Sequence, residues 1–255
     1  RGPVRTSVGD GVVLEPPPFM LHRRFLDRLD AGRELARRLR NYRDDSPIVL
    51  GLPRGGVPVA YEVARSLGAP LDVWVVRKVG APSQPELGLG AVAEGGELYL
   101  DPHTVALVGV SQDELKALVA QKTAEVEERC VRFRKGAPPP VITDRTVIVV
   151  DDGIATGGTV RAALRALRRR GPRKLVLAVP VATPDTIESL RSLADEIICV
   201  LPQENLYAIG LWYVDFSQVR DEEVTEFLAL AKSSSPPLAA AKTTANGPID
   251  RSVQI

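Results

Sequence analysis

Residues 147–159 read Val-Ile-Val-Val-Asp-Asp-Gly-Ile-Ala-Thr-Gly-Gly-Thr, and this stretch decides the fold. Thr146 to Val150 is a continuous β-branched run, the pattern of a strand buried on both faces of a parallel sheet. Two acids, Asp151 and Asp152, stand at its carboxyl end, and a turn rich in Gly and Thr leads into a helical pattern from Gly157 to Arg170. In an open parallel sheet, ligands bind at that edge. Gly153, Gly157 and Gly158 allow close backbone approach, the helix start offers unpaired N–H groups, and Thr156 and Thr159 add hydroxyls, which together make a phosphate cradle. Asp151 and Asp152 repel phosphate and must face something neutral or cationic; ribose hydroxyls and a magnesium ion meet that requirement. A Walker-type ATP loop would need Gly-Lys-Ser/Thr, and Gly158 stands where its lysine would be. The bland alternative is an acidic strand end that merely caps the next helix.

Working outward, apolar and polar runs alternate. Leu26 to Leu39 has helical spacing, Ile48 to Leu52 reads as a strand, Val57 to Leu67 as a helix and Leu71 to Val76 as a strand. Gly80 to Gly96 is rich in Gly and Pro and reads as a loop. Ser111 and Glu114 form a capping box that opens a long charged helix to about Arg134, so residues 104–140 make a helical insertion closed by Pro138-Pro139-Pro140. Strands are expected over Leu175 to Val181 and Ile197 to Leu201, with a helix starting at Pro184 between them. Asp221 is expected to cap a last helix to Ala231. This order predicts an α/β domain over residues 20–232: a mostly parallel twisted sheet with helices on both faces, plus a small hood or insertion. Residues 1–19, with Glu15-Pro16-Pro17-Pro18, read as a disordered lead-in, and residues 233–255 as a linker that opens towards a second domain.

Charge and composition narrow the function. With 33 basic and 32 acidic residues there is no global field that argues for nucleic acid or membrane, so any anion must be held locally. Two cysteines, Cys130 and Cys199, make neither a metal cluster nor a disulfide framework. No apolar run is long enough to span a bilayer, which makes the cytoplasm the default compartment.

The stretch 147–159 resembles the PRPP motif of the type I phosphoribosyltransferases, where PRPP is phosphoribosyl pyrophosphate. The resemblance implies that Asp151 and Asp152 meet the ribose 2- and 3-hydroxyls, with magnesium held indirectly there. It implies that Gly153, Ile154, Ala155, Thr156, Gly157, Gly158 and Thr159 cradle the 5-phosphate. Gly51-Leu52-Pro53-Arg54-Gly55-Gly56 looks like the same family's pyrophosphate loop, and Arg77-Lys78 like its basic pair. That assigns pyrophosphate to Pro53, Arg54, Gly55, Gly56, Arg77 and Lys78. Catalysis falls to Asp151, Asp152, Arg54 and Lys78, with Gly80 to Gly96 as candidate lid. Tyr207, in Tyr207-Ala208-Ile209-Gly210, resembles the aromatic residue that stacks on the base in the hypoxanthine type. Trp212 and Phe216 read as core. The 6-oxopurine enzymes carry an aspartate at the position of Ala155, which cannot transfer protons.

The implied activity is Mg-dependent transfer from PRPP to a nitrogenous base with loss of pyrophosphate. The segments at 25–36, 77–82, 90–96 and 212–219 resemble a bacterial group of phosphoribosyltransferases of unassigned substrate, some fused to a hydrolase domain. A homodimer and such a fusion are both compatible with the sequence. A PRPP-sensing regulator is the main alternative. It would need a basic face, and the cluster Arg165, Arg168, Arg169, Arg170, Arg173 and Lys174 sits where a helix dipole already accounts for it. A third reading, a structural partner with a dead site, conflicts with the intact Arg54, Lys78, Asp151 and Asp152.

Overall fold

The computed structural model describes residues 24–82 and 84–234. The lead-in, the start of the domain at residues 20–23 and the linker beyond residue 234 lie outside the described residues. In chain order the elements are α1 (Arg28–Arg38), a 3-10 turn (Arg40–Asp45), β1 (Ile48–Gly51), α2 (Gly56–Leu67), β2 (Leu71–Val73), β3 (Val76–Ala81), β4 (Gln84–Ala93) and β5 (Glu97–Leu100). They continue with α3 (Pro102–Val108), α4 (Gln112–Arg134), β6 (Thr146–Val150), α5 (Gly158–Arg169), β7 (Lys174–Ala182), α6 (Pro184–Leu190), β8 (Glu196–Pro202), a 3-10 turn (Ile209–Trp212) and α7 (Asp221–Ser234).

The main sheet has the order β2-β1-β6-β7-β8, and every pairing in it is parallel. Side chains alternate across each strand, so one sheet seals two cores. Ile148, Val150, Val176 and Ala178 face α1, α2 and α7, while Val147, Val149, Leu175 and Leu177 face α5 and α6. This is why Thr146 to Val150 carries no polar alternation. From β1 the chain moves outward to β2, then returns to place β6 on the other side of β1. The switch point of the sheet therefore lies between β1 and β6, where a crevice opens at the strand ends.

Three local expectations are corrected. The strand foreseen over Leu71 to Val76 is two: β2 ends at Val73, and β3 leaves for a second, antiparallel sheet of order β3-β4-β5. Gly80 to Gly96 is largely paired strand rather than loop. A Cβ on Gly90 would meet the Tyr99 carbonyl oxygen at 2.0 Å, so this glycine serves close strand approach and is not a free hinge. Asp221 opens α7, but its carboxylate is turned to Arg132, 2.8 Å away, instead of capping its own helix.

The helical insertion is tied down by one buried network. Arg134, at the end of α4, donates to both oxygens of Glu94 at 2.5 and 3.0 Å, to Asp72 at 2.9 Å and to the Val73 carbonyl at 2.7 Å. Fully satisfied, such a network fixes α4 against the junction of the two sheets. The arginines of α5 grip the small sheet in the same manner. Arg165 lies 3.9 Å over the Tyr99 ring, and Arg169 donates to Glu97 at 2.7 Å. Arg168 pairs with Asp195 at 3.0 Å, so the basic cluster is spent on structural contacts.

Candidate active site

β1 and β6 are neighbours in register, with Gly51 opposite Val150, and the Leu52 N–H donates to the Val150 carbonyl at 2.8 Å. The two turns singled out in the sequence therefore leave adjacent strand ends together. A Cβ on Gly55 would fall 2.0 Å from Asp152 Oδ2, and one on Gly56 would fall 2.9 Å from the Asp151 Cα. Only glycine lets the Pro53–Gly56 turn press against the acid pair. The Pro53–Arg54 peptide bond is cis.

Beyond the acids, the Ile154 N–H donates to the Val181 carbonyl at 2.9 Å and Thr186 Oγ1 donates to the Ala155 carbonyl at 2.8 Å. These bonds hold the turn open above the sheet. Gly157 occupies the N-cap of α5 with φ of 76°, a region most residues avoid. The first N–H groups of this 12-residue helix have no intrahelical partner, which equips its start to hold an anion.

A cavity of about 550 Å³ lies over this turn. Residues 151–161 form its floor, Lys78, Gly88, Gly90, Tyr99 and Asp101 of the small sheet and its exit form the roof, and Ile209 closes one end. Asp151, Asp152, Gly153 to Thr159 and Lys78 thus share one chamber. Arg54 and Arg77 are brought to each other but are not among its lining residues; Arg54 Nη1 lies 3.7 Å from Asp221, and Arg77 Nε lies 3.6 Å from Glu125. Alternation along β3 accounts for the split, since neighbours on a strand face opposite ways. Tyr207 is 78 % exposed and does not line the cavity.

Electrostatics make the acid pair unusual. Burial, then the charge of Asp152, pushes the Asp151 carboxyl well above the ordinary aspartate range. Burial also raises Asp152, while Arg28 pulls it back down. Arg28 was not foreseen. Its Nε donates to Asp152 at 2.8 Å, its Nη1 donates to the Ser217 carbonyl at 2.7 Å, and its guanidinium lies 3.8 Å over the Phe216 ring. Tyr213, a residue the sequence does not single out, is buried, and its hydroxyl donates to the Asp152 carbonyl at 2.6 Å. Arg28 and Tyr213 together fix the strand end from which both acids project. Trp212 is buried in the core, as expected, and Phe216 packs against it while carrying the Arg28 guanidinium.

Among the described residues, no group of three or more His, Cys, Asp or Glu could hold a metal ion. Two adjacent carboxylates still suit magnesium, which commonly takes one or two protein carboxylates and completes its shell with water and substrate oxygens. No helix among the described residues is long and apolar enough to cross a membrane.

Comparison with known proteins adds an independent line. Residues 24–211 match the model of the phosphoribosyl transferase domain. A Mycobacterium tuberculosis protein, named provisionally as a phosphoribosyl transferase, is 43% identical over 232 residues, covering 91% of this chain and 52% of that protein. The chain thus spans about half the length of these curated relatives. A uracil phosphoribosyltransferase of Lactobacillus delbrueckii is 32% identical over 162 residues, 60% of this chain and 69% of that protein. The crystal structure of TT1426 from Thermus thermophilus superposes with a TM-score of 0.70 at 45% identity, covering 80% of this chain and 97% of that one. The matched model spans both the acid turn and the glycine turn at the switch point of the sheet, and the chain belongs to the phosphoribosyl transferase domain family, a family of transferases.

Proposed function

We propose that this domain transfers the phosphoribosyl group of PRPP to a ring nitrogen of a nitrogenous base, with magnesium and with release of pyrophosphate. One observation carries the reading: a phosphate-cradling helix start and a glycine turn with a basic residue flank the same acid pair, within contact distance of it. In that reading the free N–H groups of Gly157 to Thr159 hold the 5-phosphate, and Asp151 and Asp152 accept hydrogen bonds from the ribose hydroxyls. The glycosidic bond at C1 breaks with oxocarbenium character, and negative charge grows on the leaving pyrophosphate. The amides of Gly55 and Gly56, with Arg54 beside them and Lys78 on the wall of the neighbouring chamber, stabilise that charge. Asp151 and Asp152 are the residues that would hold magnesium, which when bound would supply Lewis-acid stabilisation of the departing group. The partial likeness to uracil phosphoribosyltransferases supports placing uracil first among acceptors.

The test is pyrophosphate release from Mg-PRPP with a panel of purine and pyrimidine bases, a control without base, and the double variant Asp151→Asn with Asp152→Asn. Release that depends on one base and disappears in a folded double variant is expected. PRPP binding without release for any base would favour the sensing role, and unchanged PRPP affinity in the double variant would remove the acid pair from the site.

A further inference from the structure

Four arginines from three elements gather around one carboxylate, Asp221 at the start of α7. Arg132 donates to it at 2.8 Å, while Arg54 Nη1 and Arg129 Nη1 stand 3.7 and 3.9 Å from its Oδ1. Arg77 completes the group from β3, and burial followed by the charge of Arg129 pushes its guanidinium below the ordinary value. The other acids nearby are already engaged. Glu125 is taken by Lys122 at 2.6 Å and Glu128 by Arg132 at 2.5 Å. Five cations, Arg54, Arg77, Lys122, Arg129 and Arg132, thus face three carboxylates, Glu125, Glu128 and Asp221.

Two atoms at this junction are buried without a hydrogen-bond partner among the described residues: Asp221 Oδ1, an acceptor, and Arg77 Nε, a donor. Such atoms are uncommon and call for a functional reason. The cluster is continuous with the acid pair, because Arg54 immediately precedes Gly55, which abuts Asp152. It lies across the β1–α2 turn from the cavity that holds the α5 start. That arrangement matches a ribose whose phosphate groups leave from opposite ends while its hydroxyls rest on the acids between them.

We propose that Arg129 of α4 joins Arg54 and Arg77 as a third arginine of the diphosphate seat, and that Asp221 is the internal counterion displaced when the diphosphate arrives. This rests on the phosphoribosyl-transfer reading. Planar guanidinium forks suit a diphosphate better than lysines would, and several charge-assisted bonds to it outweigh two loose contacts to one carboxylate.

The experiment is calorimetric titration of inorganic pyrophosphate with magnesium into the intact chain and into Arg129→Gln, Arg54→Gln and Asp221→Asn, with ribose 5-phosphate as the second ligand. Arg129→Gln is expected to weaken pyrophosphate roughly tenfold or more, the value of one charged hydrogen bond, and to leave ribose 5-phosphate unchanged. Asp221→Asn is expected to strengthen pyrophosphate binding, and as a near-isosteric change it decides the matter if Arg129→Gln does not fold. Pyrophosphate affinity untouched by Arg129→Gln but lost in Arg54→Gln would overturn this seat while leaving the proposed function intact. Weaker pyrophosphate binding in folded Asp221→Asn would overturn the counterion role. A parent chain that binds neither ligand would overturn both readings.

Discussion

Arg28→Met isolates what holds the acid pair together. The Arg28 and Asp152 side chains are only 11% and 14% exposed, so their ion pair is screened little by solvent. Methionine keeps most of the side-chain volume but removes the donor to Asp152, the donor to the Ser217 carbonyl and the cation over Phe216. Losing one partner of a buried pair costs about 3 to 5 kcal/mol when the other stays charged. Here the carboxylate can escape by taking a proton, so we expect about 3 kcal/mol at pH 7.5, or roughly 6 to 12 °C in Tm for a domain of this size. The sign with pH follows from the same escape. Without Arg28 the Asp152 carboxyl rises further, and below that raised value it is neutral, so its desolvation no longer opposes folding. The deficit relative to the parent should therefore shrink as pH falls from 7.5 to 4.5, read by urea unfolding at each pH. A deficit that stays constant across this range would refute the electrostatic account and leave only lost packing.

Three more outcomes can be checked. Asp151→Asn should raise Tm above neutral pH: the native carboxyl binds a proton that the unfolded chain, titrating near 3.8, releases, so parent stability falls as pH rises through that window and the amide has no such loss. The same variant should lose Mg-PRPP affinity, an exchange of function for stability that scanning calorimetry and titration would reveal together. Arg134→Met leaves Glu94 and Asp72 facing each other uncompensated at the root of α4 and should cost about 3 to 5 kcal/mol in denaturant unfolding; a loss under 1 kcal/mol would show that the network adds little. Burial pushes the Cys130 thiol up to about 12 and Cys199 up to about 11, so both should react slowly with a disulfide reagent at pH 8, and rapid labelling of the native chain would contradict their burial.

The parts of this molecule that sequence reveals are those whose physics is local. Thr146 to Val150 announces a two-sided buried strand because each residue in it is apolar or β-branched, and Ser111 with Glu114 forms the capping box that begins α4. Arg28 and Tyr213 escaped notice for the opposite reason. Each meets Asp152 across a long stretch of chain, and no spacing rule links residues that the fold alone makes neighbours. β4 was hidden by composition, since Gly88 and Gly90 weaken a strand signal even though close approach to β5 demands glycine at residue 90. α3 spans only seven residues, too few for a periodicity to emerge, although Asp101 caps it in the usual manner. The divergence of Arg77 from Lys78 was readable in principle, because a strand always sends adjacent side chains apart.

The grip of α5 on the small sheet has a mechanical consequence. One end of this helix forms the seat expected to take the 5-phosphate, and its flank carries Arg165 over Tyr99 and Arg169 on Glu97. Floor and roof are therefore bolted to a single rod. Any motion that admits a ligand must either leave β5 behind or break those arginine contacts first.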